Sequence, residues 1–301
     1  MTTTTNSVQN NAVFLLMSVG RLRTRKKLST SLIQTGDIDE SLLHVSKDIL
    51  ESSALKAVAE FDNGVRTWVR ARSLPSPFNK GIILLPVRML APVLEKITSA
   101  QVERQQLIES FLQAYDRCKH EAEGKLGAAF DERDYPSPDE VRKTFFFETQ
   151  VFELSTPGRL KAVSRELYQQ ELCKLQNMWT EATATVTSVL LEEMKKLTSH
   201  IHERLQPGED GKPKIFRDSV ITNLTTWLDL FSARNLTNDE ELGSLVEKAR
   251  RMVQGLDPEN IRDNDSLRKE IADGFQQLAE EVDTAIINAP IRAIDLDQEA
   301  V

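Results

Sequence analysis

Seven consecutive residues carry five positive charges: Arg21, Arg23, Arg25, Lys26 and Lys27. In an extended chain alternate side chains point to one side, so Arg21, Arg23, Arg25 and Lys27 share a face. Such a stripe suits phosphates, because each phosphate neutralised by Lys or Arg adds salt-dependent affinity. Two other uses stay open: charge that protects an edge strand, and a surface that meets acidic helices. A second basic site interleaves an aromatic with arginines, at Arg66, Trp68, Arg70 and Arg72. Stacking plus charge fits a single nucleic-acid strand, although one tryptophan is more often part of a core.

Catalytic chemistry is not written locally. Gly208-Glu209-Asp210-Gly211-Lys212-Pro213 has glycines and a lysine like a phosphate loop, but it is too short. Proline also replaces the Ser/Thr, and its acidic residues repel phosphate. His200 and His202 lie about 200° apart around a helix axis, whereas a zinc pair needs a spacing of four; exposed helix-end histidines are expected. His44 and His120 have no ligand company. Glu192-Glu193 and Asp239-Glu240-Glu241 belong to solvated helix faces. Cys118 and Cys173 lack partner spacing and read as buried free thiols in a reducing cytoplasm. No serine or cysteine nucleophile has an orienting base. The expectation is no enzyme, no cofactor, and no catalytic or metal site.

The elements around these residues follow from pattern. The 301 residues are 40% apolar and 28% charged, with only 12 glycines and 11 prolines, which favours solvated helices over turn-rich β folds. That length supports one large or two modest domains. The net charge of −8 hides an asymmetry: residues 1–90 hold 12 Lys/Arg against 7 Asp/Glu, and the remainder 26 against 39. No apolar run, Gly81 to Pro86 included, approaches a membrane span. Met1 to Asn11 lacks the basic start of a secretory signal. A cytoplasmic protein without membrane contact is expected.

Residues 1–11 read as a disordered tail and Ala12–Val19 as a buried strand. Leu42, Val45, Ile49, Leu55, Val58 and Phe61 suggest a helix stopping near Asn63-Gly64. Residues 66–72 are strand or helix. Leu74 to Pro77 is a connector, and Gly81–Leu85 a strand closed by Pro86. Leu90, Leu94, Ile97, Gln101, Arg104, Ile108, Phe111, Tyr115, Cys118 and Ala122 then alternate four-three, about 3.56 residues per step, near the coiled-coil value. Gln101 and Arg104 are either a solvated gap in that seam or a polar layer fixing register or partner choice. Ser137-Pro138-Asp139-Glu140 is a helix start with a capping box, and Phe145–Leu154 an aromatic strand. Thr156-Pro157 opens a run from Arg159 to Gln206 without glycine or proline, a helix of about 70 Å. Its stripe from Leu160 to Ile201 advances about 3.7 residues per step, which suits a nearly straight bundle spine. A loop over 208–213 leads to a helix over Ile215–Phe231, with Ile215 on its apolar side. Another helix is capped at Thr237-Asn238-Asp239-Glu240 and ends at Gly255. The last covers Ser266–Ile287, and 289–301 is frayed.

The predicted fold is mainly α: an elongated long-helix bundle or coiled-coil hairpin with a small β element near residues 12–28, 81–85 and 145–154. The predicted divisions are a 1–11 tail, a 12–157 α+β region, a 158–206 spine, a 207–288 helical region and a 289–301 tail.

Gly20-Arg21 followed by Arg25-Lys26-Lys27-Leu28, and Val141-Arg142 followed by Phe145, Phe147, Val151 and Phe152 after a helix bearing Tyr115, resemble the signatures of a bacterial and phage protein family. The similarity covers about residues 12 to 155. Thr144 stands where a basic residue is expected. No reaction or catalytic residue is assigned to that family. Its members look like companions of a MoxR-type AAA+ ATPase and a von Willebrand A-domain protein on mobile elements. The resemblance therefore implies a partner rather than a chemistry. The expected function is a non-enzymatic adaptor or scaffold of a phage or mobile-element system, with homo-oligomers open. The alternative is a nucleic-acid-binding module using Arg21 to Lys27.

Overall fold

In the computed structural model the described residues are 8–32, 39, 42–79, 81–155, 158–208 and 212–288. The expected cap at Thr156-Pro157 and the expected tails at 1–7 and 289–301 lie outside them. The protein is mainly α with a small sheet. It divides into two compact units. The first comprises Met1–Leu15, Arg70–Leu90 and Val151–Val301; the second comprises Leu16–Val69 and Ala91–Gln150. These units are discontinuous in sequence.

The elements in chain order are β1 (Ala12–Val19), β2 (Arg25–Lys27), β3 (Ser46–Asp48), α1 (Ser53–Arg70), β4 (Leu74–Pro75), β5 (Ile82–Pro86) and α2 (Val87–Leu126). They continue with α3 (Pro138–Thr144), β6 (Phe147–Phe152), α4 (Leu160–Val163), α5 (Arg165–Leu205), α6 (Asp218–Arg234), α7 (Glu240–Val253), α8 (Pro258–Asp263) and α9 (Asp265–Asn288). One sheet has the order β4-β5-β1-β6 and a second pairs β2 with β3. The strands expected at 12–19, 81–85 and 145–154 are β1, β5 and β6. Leu74-Pro75, expected as a connector, pairs with Leu84 and Ile83 as β4.

In the first unit the core forms where α5 meets α6, α7 and α9. Trp179, Ala182, Val186, Leu190, Met194 and Ile201 pack with Leu224, Leu228, Val246, Phe275, Leu278 and Val282. Burying each of the larger aliphatic and phenylalanine side chains among them contributes roughly 1.5–3 kcal/mol. Arg268, buried on α9, donates from Nε to the Leu205 carbonyl (2.9 Å) and from Nη2 to the Arg204 and Lys214 carbonyls (both 2.8 Å). It thereby satisfies carbonyls that the end of a helix leaves open. Val8 is fully buried in this core and residues 8–11 are helical, so the expected tail does not extend that far.

Several expected elements differ, each for a local reason. The 48-residue helix is broken at Ser164, which is extended (φ −157°, ψ 134°) and accepts from the Leu167 N–H, starting α5 there. The helix expected over Leu42–Phe61 is instead β3 followed by α1. The Ser52 hydroxyl accepts from the Leu55 N–H at 3.3 Å and marks the later start. α1 runs through Gly64, because Val58, Asp62, Val65 and Val69 form one continuous buried face. α6 begins at Asp218, leaving Ile215 75% exposed while Phe216 takes the buried place. Asp239, not Thr237, caps α7 by accepting from the Leu242 N–H. Thr237 turns instead to Asn235. Gly255, at φ +77°, follows α7 in the left-handed conformation that ends helices. The Ser137 capping box is present in full.

Candidate functional site: a basic-rimmed groove

The second unit is built on α2, whose buried face carries Ile97, Arg104, Ile108, Phe111, Tyr115, Cys118 and Ala122 as the periodicity requires. Nearer its start the face shifts by one residue, and Val93 and Ala100 are buried in place of Leu94 and Gln101. Arg104 is not a seam layer between coiled helices. It pairs in two places with Asp62 of α1: Nε to Oδ1 at 2.7 Å and Nη2 to Oδ2 at 3.2 Å. Its Nη2 also donates to the Gly20 carbonyl at 2.7 Å. The side chains are 3% and 0% exposed. Phe145 and Phe147 flank the guanidinium, with centroids 5.8 and 5.9 Å away. That is the outer limit of a cation–π contact. Gln101 is exposed and donates to the Phe147 carbonyl at 2.9 Å, so it ties α2 to β6 rather than setting register.

This cluster starts the basic stretch. Gly20 donates its N–H to the Phe146 carbonyl at 2.9 Å. The approach leaves no room for a side chain, since a Cβ there would lie 2.6 Å from the Thr144 carbonyl oxygen. Arg21 turns inward, with Nε 3.7 Å from Asp62 Oδ2. Beyond it the chain is extended and exposure alternates: Arg23, Arg25 and Lys27 are exposed, Thr24 and Lys26 half-buried. The expected common face therefore holds for three of its four residues, with Arg21 half-buried and turned toward Asp62.

β2 and β3 pair antiparallel with Arg25 opposite Asp48, Lys26 opposite Lys47 and Lys27 opposite Ser46. Like charges directly opposite are unfavourable. Lys47 escapes by reaching the Ala129 carbonyl at 2.5 Å and Asp134 at 2.8 Å. Tyr135 then donates to the Ile49 carbonyl at 2.7 Å and holds the strand end against the helical layer.

Between this ribbon and the two helices lies a groove of about 920 Å³. One wall is the segment 21–25 and another is 48–52. The helices supply the start of α1 with Leu55, Lys56 and Ala59, and the end of α2 with Cys118, Glu121, Ala122, Lys125 and Leu126. Five basic residues line it (Arg21, Arg23, Arg25, Lys56, Lys125) against three acidic ones (Asp48, Glu51, Glu121). Lys125 donates to Glu51 at 2.8 Å. That hydrogen bond holds the Glu51 carboxyl below its usual range and raises the Lys125 ammonium. Arg25 is 3.8 Å from Asp48, a loose pair with the arginine 77% exposed. Arg23 and Lys27 make no ion pair with any described residue.

The second predicted basic site is dispersed. Residues 66–70 are helical, so Arg66 and Arg70 lie on one side of α1 with Trp68 about 200° away, and Arg72 follows in the turn. No alternating stripe forms. His200 is exposed as expected, but His202 is half-buried with Nδ1 2.9 Å from the Ala272 carbonyl. Cys118 is buried and Cys173 exposed, against the expectation that both are inside. Among the described residues no group of three or more His, Cys, Asp and Glu could hold a metal ion. Among them no helix is long and apolar enough to cross a membrane.

Asp62, Glu51, Lys56 and Lys125 were not legible as site residues. Asp62 left one trace, a carboxylate on the otherwise apolar face of Val58, Val65 and Val69. The other three sit on exposed helix or strand ends, where nothing in sequence separates them from ordinary surface charge. Comparison with protein-family models, with curated proteins and with solved structures finds no match for the chain.

Proposed function

We propose that the protein is a non-enzymatic adaptor whose binding element is the Arg23–Lys27 ribbon with the groove beside it. One observation carries this reading. Arg104, Arg234 and Arg268, the buried arginines among the described residues, are each engaged by carboxylates or carbonyls of their own unit. Arg23, Arg25 and Lys27 instead present charge outward along one face. Held charge stabilises a fold, whereas outward charge beside a concave surface is available to a partner. The partner class suggested by the resemblance of residues 12–155 is a MoxR-type AAA+ ATPase, in a phage or mobile-element setting.

The test is co-sedimentation of the purified protein with a MoxR-type ATPase from the same genome. A complex is expected that weakens when Arg23, Arg25 and Lys27 are all replaced by glutamate. Absence of a complex at micromolar concentrations overturns the ATPase assignment.

The exposed basic face also favours a second reading, a nucleic-acid-binding module. In that case affinity for DNA or RNA falls with rising salt, and the same triple reversal flattens the salt dependence. Binding unchanged by the reversal removes this reading.

A further inference from the structure

We infer that the groove between the 21–25 segment and the ends of α1 and α2 is a docking site for an extended acidic peptide. In this peptide apolar residues alternate with aspartate or glutamate. The inference rests on the adaptor reading and specifies the chemistry of the partner segment.

Three features select this occupant. The first is spacing. Arg23 and Arg25 are alternate residues of an extended chain, about 7 Å apart along it. Carboxylates at alternate positions of an extended partner repeat at the same distance, so each meets one guanidinium. Arginine is suited to such carboxylate pairing because its planar fork donates to both oxygens.

The second is the floor. Leu22, Leu55 and Leu126, each half-buried, line the groove below the charged rim, backed by the buried Ile49, Leu50 and Ala122. The intervening apolar side chains of an alternating peptide point away from its carboxylates, and here they point toward this floor. A purely acidic chain leaves that surface uncovered.

The third is what the groove lacks. None of its lining residues among the described ones is aromatic, whereas single-stranded nucleic acid is bound through aromatic stacking platforms. Asp48, Glu51 and Glu121 interrupt the basic lining and repel phosphates and carboxylates alike, although Asp48 and Glu51 have cationic partners in Arg25 and Lys125. They tolerate a peptide, whose backbone N–H groups can donate to them. The start of α1 also faces the groove through Ser52, Leu55 and Lys56, and the positive end of a helix dipole favours an acidic ligand.

The experiment measures fluorescence anisotropy of the full-length protein with three labelled probes. These are a peptide of alternating leucine and aspartate, a peptide of alternating serine and aspartate, and a mixed-sequence single-stranded DNA. The Leu–Asp peptide is expected to bind saturably, and the Ser–Asp peptide about tenfold or more weakly. Arg23→Glu with Arg25→Glu should weaken the Leu–Asp peptide by about tenfold or more. Both residues are exposed, and circular dichroism checks that the variant folds. Arg23→Gln with Arg25→Gln serves if it does not, with a smaller loss in the same direction.

Equal affinity for the two peptides overturns the apolar floor. DNA binding tighter than either peptide, lost in the same variant, replaces the peptide with nucleic acid. No saturable peptide binding overturns the inference outright. An ATPase complex that forms while the peptides fail leaves the adaptor reading standing, so the two failures are distinct.

Discussion

Arg104 and Asp62 meet as a two-point ion pair with both side chains almost fully removed from water, and the same guanidinium holds the carbonyl of Gly20. One arginine thereby joins α2, α1 and the entry to the basic segment inside the second unit. The geometry is well satisfied, so the desolvation cost is offset by three hydrogen bonds. Removing one partner leaves the other charge buried alone.

Asp62→Ala is therefore expected to destabilise the second unit by about 3–5 kcal/mol. Asp62→Leu combined with Arg104→Met should recover much of that loss, since well-packed apolar replacements of buried pairs are often neutral. Urea unfolding followed by circular dichroism reads both. If the double variant is as unstable as the single, the unpaired charge is not the source of the loss.

At Gly20 the expectation is steric. Gly20→Ala places a methyl 2.2 Å from Phe146 Cε1 and 2.6 Å from the Thr144 carbonyl oxygen. Overpacking of this kind costs about 1–3 kcal/mol. Phe146 is 45% exposed and its ring can swing aside, but the carbonyl cannot. Adding Phe146→Ala to the Gly20→Ala variant should consequently restore little in thermal unfolding.

Tyr115 supplies a pH dependence. Burial is the main cause pushing its hydroxyl up to about 12, with Tyr135, Asp116 and Glu140 adding to it. The folded protein then keeps a proton that the unfolded chain releases near the ordinary tyrosine value of about 10. The unfolded state binds fewer protons in that window, so stability falls as pH rises from about 10 to about 12. Tyr135, also raised by burial, acts in the same direction. Tyr115→Phe should flatten this alkaline decline while costing about 1 kcal/mol at neutral pH, because the Pro136 carbonyl loses its donor at 2.9 Å. Unfolding midpoints across pH, with tyrosinate absorbance, test the pair of effects.

In the first unit Glu193 accepts from Arg234 Nη1 at 2.6 Å and Nη2 at 2.8 Å, and from Trp227 Nε1 at 2.6 Å. Arg234 also donates from Nε to the Ser73 carbonyl at 3.2 Å. Glu193→Ala leaves a buried guanidinium without its carboxylate and should cost about 2 kcal/mol. The Trp227 environment changes with it, so tryptophan fluorescence of the native state should shift alongside the unfolding midpoint. An unaltered spectrum with full stability counts against this network.

Element type was well marked in the sequence wherever period and caps agreed. The stripe from Ile97 to Ala122 is the buried face of α2, Ser137-Pro138 starts α3, and Gly255 follows α7. Errors gathered where a short polar side chain offered the backbone a competing bond, which hydrophobic period does not register. Ser164 broke the long helix in this way, and Ser52 delayed the start of α1. At the candidate site, Arg23, Arg25 and Lys27 were legible from alternation alone. Lys56 and Lys125 were not, because they reach the groove from elements distant in sequence.

By itself the sequence determined that this chain is helical, where most helices lie, and that one basic face accompanies an extended segment. Those are local matters of period, capping and charge spacing. Tertiary structure decided which charges are held and which face outward. Arg104 read as a seam residue and became the partner of a carboxylate 42 positions away. Arg21 read as part of the stripe and was drawn toward the same carboxylate. A charge is satisfied by whatever the fold brings within a few ångströms, and no local pattern encodes that distance.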